Sequence, residues 1–346
     1  MSQTARCESA DARLKVHALS LGDARAQFAD DIRRGLTADP KRLQPKYFYD
    51  QLGSLLFDAI CLLPEYYLTR AEDEILRARA DEIAAAAAGP GRAQLSLLEF
   101  GSGSAVKTRL LVEAILRRQP RLLYRPVDIS ETAVESGARS LLQSYPQLTV
   151  EAFAGDYDAA LARLNRGERG GSDGDGERTL ALFLGSNVGN FDPSEAEKFL
   201  TAVRGCLRAG DALLLGADLR KDPDTLLAAY DDPLGLTAVF NLNLLARVNR
   251  EFAADFDLRA FRHRVRYDGG AGRVEIYVES LRRQTVRIRE LGLAVEFAEG
   301  ELTHTENSHK YDPAQLRSLA ARTGFDLSQT WTDAASRFSS NLFVAA

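Results

Sequence analysis

A chain of 346 residues, 45% hydrophobic and 27% charged, has the make-up of an ordinary soluble protein and is long enough for two domains. Its net charge of −5 leaves no basic footprint for nucleic acid, and no apolar run approaches the roughly 20 residues of a membrane span. The opening stretch MSQTARCESADARLK lacks the apolar core of a secretory signal, and Cys7, Cys61 and Cys206 form no CxxC pair, so a cytoplasmic protein without disulfides or structural zinc is expected.

Residues 21–36 read as an amphipathic helix ended near Pro40. An aromatic segment follows, PKYFYDQLGSLLFDAICLLPEYYLTRAEDEIL, punctuated by Pro45, Gly53 and Pro64. Residues 71–88 turn acidic and then alanine-rich, which predicts a helix closed by Gly89 and Pro90. From residue 95 short apolar runs alternate with helical stretches: LSLLEF, LLYRPVDIS, LTVEAFAGDY, TLALFLGSNVGNF and ALLLGADL. That alternation predicts an α/β fold, a parallel sheet joined by helical crossovers. The glycine-rich NRGERGGSDGDGERT between the third and fourth runs reads as a flexible surface loop without function.

Beyond Lys221 the rhythm changes. TLLAAYDDPLGLTAVFNLNLLARVNREF is helical in pieces. GRVEIYVESLRRQTVRIREL and LAVEFAEGEL then alternate, with Val274, Ile276 and Val278 on one face and Glu275, Tyr277 and Glu279 on the other. This predicts an antiparallel meander with one covered face. PAQLRSLAARTGF and RFSSNLFVAA return to helix and strand. A second α+β unit is therefore expected late in the sheet, with the N-terminal segment packed against it.

The stretch ELTHTENSHKY, residues 301–311, holds His304, Glu306 and His309. No cysteine is near and the histidines are five apart in an extended segment, a poor metal set. Glu306 and Ser308, two residues apart, share one face of that segment.

LLEFGSGSAVKTRLL carries the clearest chemistry. A strand ends at Glu99, and Gly101 and Gly103 permit a tight turn against a ligand. The third glycine of a dinucleotide fingerprint is replaced by Val106. Asp128 ends the second strand, where a carboxylate can take both ribose hydroxyls. Asp156 ends the third, where one can accept from an adenine amine. The pattern resembles that of class I S-adenosylmethionine (SAM) methyltransferases, and Lys107 stands in the first helical turn, within reach of the cofactor's carboxylate.

Further stretches make the resemblance specific. PKYFYDQLGSLLFDAICLLPEYYLTRAE, LLEFGSGSAVKTR, VDIS, FLGSNVGNF, GDALLLGADLRKDP, AAYDDPLGLTAVFNLNLLARVNREFAADFD and TENSHKY occur in that order. Together they resemble the L-histidine Nα-methyltransferase family, which trimethylates histidine to hercynine in ergothioneine biosynthesis. The resemblance runs from about residue 20 to the end. It implies a Rossmann-like SAM domain over 71–218 plus 311–346. It also implies a second α+β domain over 9–70 plus 219–310 that helps hold the substrate.

By motif, the resemblance implies that Gly101, Ser102, Gly103, Lys107, Asp128, Asp156 and Tyr157 hold SAM. Tyr66, Asn190 and Tyr230 would hold the amino acid's carboxylate and backbone end. Tyr49 and the Gly185 carbonyl would lie near its amine, and Glu306 and Ser308 would face the imidazole. Ile276, where the best-known members carry methionine, is expected to touch the substrate side chain, and Asn307 is polar where they carry an apolar residue. These two departures keep an α-N-methyltransferase for tryptophan or another amino acid as the alternative, with a SAM-binding sensor without turnover as a third reading. A sulfonium donor asks for no metal, and the family implies a monomer acting on free L-histidine, with no nucleic acid or membrane partner.

Overall fold

Apolar runs short enough to be strands, each followed by a helical stretch, can bury both faces only inside a layered sheet. That is how this chain folds. The computed structural model describes residues 10–19, 24–103, 105–165 and 176–346. Strand β1 (Leu14–Ala18) precedes helices α1 (Ala24–Leu36), α2 (Gln51–Ile60) and α3 (Leu68–Ala88). Then β2 (Gln94–Phe100), α4 (Thr108–Leu116), β3 (Leu122–Asp128), α5 (Glu131–Ser144), β4 (Leu148–Ala154) and α6 (Tyr157–Asn165) alternate. β5 (Glu177–Phe183), α7 (Pro193–Gly205) and β6 (Ala212–Asp218) complete the run. Most of the glycine-rich stretch expected as a loop, residues 166–175, lies outside the described residues.

After Asp218 come α8 (Pro223–Tyr230) and α9 (Leu236–Phe252), then β7 (Phe261–Asp268), β8 (Arg273–Ser280), β9 (Gln284–Ile288), β10 (Leu293–Phe297) and β11 (Leu302–His309). α10 (Pro313–Arg322), β12 (Phe325–Thr332) and β13 (Phe338–Ala345) close the chain. The main sheet has eight strands in the order β1-β4-β3-β2-β5-β6-β13-β12, parallel from β1 to β6, with the last two antiparallel. Leu97, Leu180 and Leu214 pack on one side with Ile75 of α3 and Leu111 of α4. Leu98, Phe183 and Leu213 pack on the other with Phe199 of α7 and Leu316 of α10. Among the described residues, no helix is long and apolar enough to cross a membrane.

The expected meander divides into two small sheets, β11-β8-β7 and β10-β9. In β8 the alternation holds: Val274, Ile276 and Val278 are buried, and Glu275, Tyr277 and Glu279 are half-buried on the other face. Two strands differ from expectation. Residues 14–18, grouped above with the second unit, instead extend the main sheet by pairing parallel to β4. Arg13 fixes this edge by donating to the carbonyls of Leu142, Tyr145 and Leu148 at 2.8–3.0 Å. β12 also goes unannounced, because FDLSQTWT is mostly polar on an edge strand with one open side.

Candidate active site

β2 leads into a turn through Gly101 (φ 77°) and Gly103 (φ 48°). A side chain is costly in that left-handed region. Space forbids one at Gly101 as well, where a Cβ would lie 2.6 Å from the Tyr157 hydroxyl and 3.0 Å from the Asn187 amide nitrogen. Asp128, the last residue of β3, accepts the N–H of Gly103 at 2.8 Å and of Ser130 at 2.9 Å, while burial pushes its pKa up. Asp156 accepts the Ala159 N–H at 2.8 Å and so starts α6. Tyr157 stands edge-on to Phe100 and Phe183, and Ser102 is buried in the turn.

The expected cofactor residues thus gather at the carboxyl ends of β2, β3 and β4, where open α/β sheets bind ligands. A Cβ at Gly103 would meet nothing within 4 Å, so the turn borders open space. An acidic group beside a glycine turn and a nearby lysine suit the ribose and carboxylate of SAM. That lysine, Lys107, pairs with Glu72 of α3, a fully buried carboxylate that also accepts the Gly185 N–H at 2.9 Å. Gly216 of β6 leaves the room for it, since a Cβ there would lie 2.2 Å from the Glu72 carboxylate.

Next to this end lies a narrow cavity lined by both aromatic and polar side chains. Three parts of the chain meet around it. Tyr49, Phe57 and Tyr66 come from α2 and its flanks, and Gly185, Ser186, Asn187 and Asn190 from the loop after β5. Tyr230, Phe240, Ile276, Glu306 and Ser308 come from α8, α9, β8 and β11. In the loop, Gly185 (φ 74°) and Ser186 (φ 59°) are both left-handed. Ser186 bears a Cβ in this conformation and is held by the Asp218 N–H, which donates to its hydroxyl at 2.9 Å.

Glu306 reaches the cavity through a β-bulge. β11 pairs with β8 as Thr303↔Val278 and His304↔Tyr277, then skips Thr305 and resumes as Glu306↔Ile276 and Ser308↔Val274. The extra residue flips the alternation. With Thr305 paired in the ladder opposite Ile276, Glu306 would stand opposite Glu275, on the outer face. Thr305 is buried and donates to the Ile276 carbonyl at 3.1 Å, which anchors the bulge.

Burial pushes Glu306 up to about 7, with Lys310 pulling it partly back. Among the described residues no group hydrogen-bonds its carboxylate. The side chains of Tyr49, Tyr66, Asn187 and Asn190 likewise make no hydrogen bond among the described residues. Burial first, and charge interaction second, hold the Tyr49 and Tyr66 phenols well above their usual pKa, so both are neutral. Tyr230 differs: its hydroxyl bonds Ser308 at 2.7 Å and accepts from Lys310 at 2.8 Å.

Of the residues expected at the substrate, Tyr49, Tyr66, Gly185, Asn190, Tyr230, Ile276, Glu306 and Ser308 line this one cavity. Asn307 does not, which corrects the expectation for it. It points to the opposite face of β11, where it donates to Asp192 at 3.0 Å and lies 2.8 Å from the His304 ring nitrogen. His309 contacts Asp192 as well, outside the cavity. Among the described residues no cluster of three or more His, Cys, Asp or Glu could hold a metal ion. Asn187, Glu72 and Lys310 went unnoticed in the sequence. Asn187 stands within the GSNVGNF stretch and touches both the glycine turn and the cavity, whereas Glu72 and Lys310 look like solvated charges.

An open parallel sheet with an antiparallel edge hairpin, a glycine turn and acids at successive strand ends defines the class I methyltransferase fold. The comparisons with known proteins agree. A family model described as histidine-specific methyltransferase, SAM-dependent, matches residues 28–345. A histidine N-alpha-methyltransferase of Mycobacterium tuberculosis is 43% identical over 90% of this chain and 93% of its own length. One of Mycolicibacterium smegmatis is 42% identical over 91% and 94%. An L-tryptophan methyltransferase of Psilocybe serbica is 25% identical over 87% and 88%. The chain belongs to the family of histidine-specific, SAM-dependent methyltransferases.

Two outcomes follow from this geometry. Gly101→Ala should weaken SAM binding about tenfold or more by calorimetry, because a left-handed alanine alone costs roughly 1–2 kcal/mol. Unchanged affinity would remove the turn from the cofactor site. The second concerns pH. The folded protein holds the Glu306 proton up to about 7 against an ordinary 4.5, so stability falls as pH rises between those values. Glu306→Gln should therefore raise the Tm relative to the parent more at pH 8 than at pH 4.5, and a difference independent of pH would contradict the burial.

Proposed function

We propose that this chain transfers methyl groups from SAM to the α-amine of L-histidine, three times, to give hercynine. The observation that carries this reading is Glu306, a buried carboxylate with no hydrogen-bond donor among the described residues, in a cavity walled by aromatic rings and neutral polar groups. An acceptor so placed is costly unless the ligand brings an N–H. An imidazole brings one and carries a second ring nitrogen for Ser308. We read the cavity as lying between the methyltransferase unit and the second α+β unit, since Gly185 to Asn190 belong to the first, and Tyr49, Tyr66, Tyr230, Ile276 and Glu306 to the second.

SAM, when bound, supplies an electrophilic methyl on a sulfonium. Gly101, Ser102, Gly103, Lys107, Asp128, Asp156 and Tyr157 would hold it. The work left to the chain is to place a neutral amine lone pair in line with that methyl. Tyr66 and Asn190, whose polar groups have no partner among the described residues, suit the substrate carboxylate. Tyr230, expected beside them, has its hydroxyl committed to Ser308 and Lys310 and belongs to the ring end.

Tyr49 and the Gly185 carbonyl suit the amine. A tyrosine held above its usual pKa stays a neutral phenol, with no phenolate present to act as base, so Tyr49 would orient the amine through its oxygen lone pair. Burial among the rings of Tyr49, Phe57, Tyr66 and Phe240 disfavours the ammonium form and so favours the loss of the first proton. Each methyl removes one N–H donor, so an enzyme that adds three must grip the carboxylate and ring and let the nitrogen turn. The arrangement of polar groups at the two ends of the cavity supports that division of labour.

Mass spectrometry of L-histidine incubated with the protein and SAM should show mono-, di- and trimethylated products. Turnover of tryptophan with none of histidine would overturn the reading in favour of an aromatic amino acid substrate. Glu306→Ala should raise the KM for histidine by roughly tenfold to 150-fold, the equivalent of about 1.5–3 kcal/mol for a charge-assisted hydrogen bond. The KM for SAM should stay close to the parent value. Equal effects on both would sink the assignment of Glu306.

A further inference from the structure

Behind the cavity wall lies a buried lysine for which methyl transfer has no direct use. Lys310 ends TENSHK, and both it and Asp218 are fully buried at their side chains. Its ammonium reaches the Asp218 carboxylate at 2.8 Å, the Tyr230 hydroxyl at 2.8 Å and the Ser308 hydroxyl at 2.7 Å. Burial works against this charge, yet Asp218 and Tyr230 hold its pKa above the ordinary lysine value. Asp218 does not depend on Lys310 for neutralisation. Lys221 contacts it at 2.6 Å, and the Tyr67 hydroxyl donates to it at 2.8 Å. Lys310 therefore has a second role to fill at its other two contacts.

An ammonium has three N–H donors and no acceptor. Here all three are committed, and both hydroxyls must accept from it. Two hydroxyl protons remain between Tyr230 and Ser308, whose oxygens are 2.7 Å apart. One makes the bond between them. The other has no acceptor among the described residues and is left for the contents of the cavity. A phenol is the more acidic group and the stronger donor, and an alcohol oxygen is the better acceptor. Tyr230 thus donates to Ser308, and Ser308 carries the outward proton.

We infer that Lys310 is a positioning residue that fixes Ser308 as a hydrogen-bond donor to the ligand, so that the bound ring must offer an N–H to Glu306 and a lone pair to Ser308. The inference rests on the reading of this cavity as the histidine site. The polarity fits a neutral imidazole in a single tautomer. It mismatches an imidazolium, which has two N–H groups and no lone pair. It equally mismatches an indole or a pyrrole, whose only nitrogen bears hydrogen.

The test compares L-histidine with pyrrolylalanine, in which CH replaces one ring nitrogen, by methyl transfer from SAM. The parent protein should show a KM for pyrrolylalanine at least about tenfold above that for histidine, the effect expected when a buried donor loses its partner. Ser308→Ala should bring the ratio of the two KM values close to one. Lys310→Met leaves Asp218 paired with Lys221 and releases both hydroxyls to rotate. The ratio should then fall below about threefold, the KM for SAM changing little. A purely structural lysine would raise both KM values together and leave the ratio intact. That result, or a parent ratio near one, would overturn the inference. Should Lys310→Met fail to fold, Tyr230→Phe decides: Ser308 still accepts from Lys310 and donates to the ring, so the ratio is retained, and its collapse would refute the assigned direction. If the parent protein methylates neither amino acid, the histidine reading itself fails and takes this inference with it.

Discussion

Much of this molecule hangs on one buried carboxylate. Asp218 ends β6, with its side chain fully buried, and an isolated charge there would be prohibitive. Its carboxylate is met by Lys310 after β11, Lys221 just beyond the strand and Tyr67 at the start of α3, and its backbone N–H donates to the Ser186 hydroxyl. Its carbonyl also accepts the Tyr311 N–H at 2.9 Å. The end of the central sheet, the loop after β5 and the strand that bears Glu306 are thereby fixed relative to one another. Such a network gains little net stability over a hydrophobic one, because desolvation offsets most of the attraction. It does fix geometry, and geometry is what a methyl transfer requires.

A second buried acid ties the start of α4 to the loop after β5. Glu72 accepts from the Gly185 backbone with the same carboxylate that pairs Lys107. One side of it faces the glycine turn and the other the loop that lines the cavity. Asn187 closes the gap, since its amide approaches Gly101 while its residue lines the cavity. The glycine turn and the cavity are therefore linked through direct side-chain contacts.

The main sheet was legible because parallel strands buried on both faces must be continuous apolar runs, and LSLLEF, TLALF and ALLLGAD are that. Strands at the edges escape the rule. LKVHA and FDLSQTWT each keep polar residues and show no continuous apolar run. The site was legible as far as identity and alternation reach: Glu306 and Ser308 do share a face. Which face they share was not legible, since β11 changes register at Thr305. Proximity in sequence misled at Asn307, which the same alternation turns outward. Glu72 and Lys310 had no signal, because a charged residue within RAEDEIL or TENSHKY looks solvated until the tertiary structure encloses it.

The bulge at Thr305 has a consequence for how such a pocket can change. Substitutions at Ile276 or Glu306 retune the chemistry of the wall one group at a time. A one-residue slip of β11, with Thr305 taken into the ladder opposite Ile276, would act on the whole strand instead. His304, Asn307 and His309 belong to the face now turned away from the cavity, and Glu306 and Ser308 to the face turned toward it. Two alternative linings are thus interleaved in one strand, and the unpaired residue at Thr305 decides which of them faces the cavity.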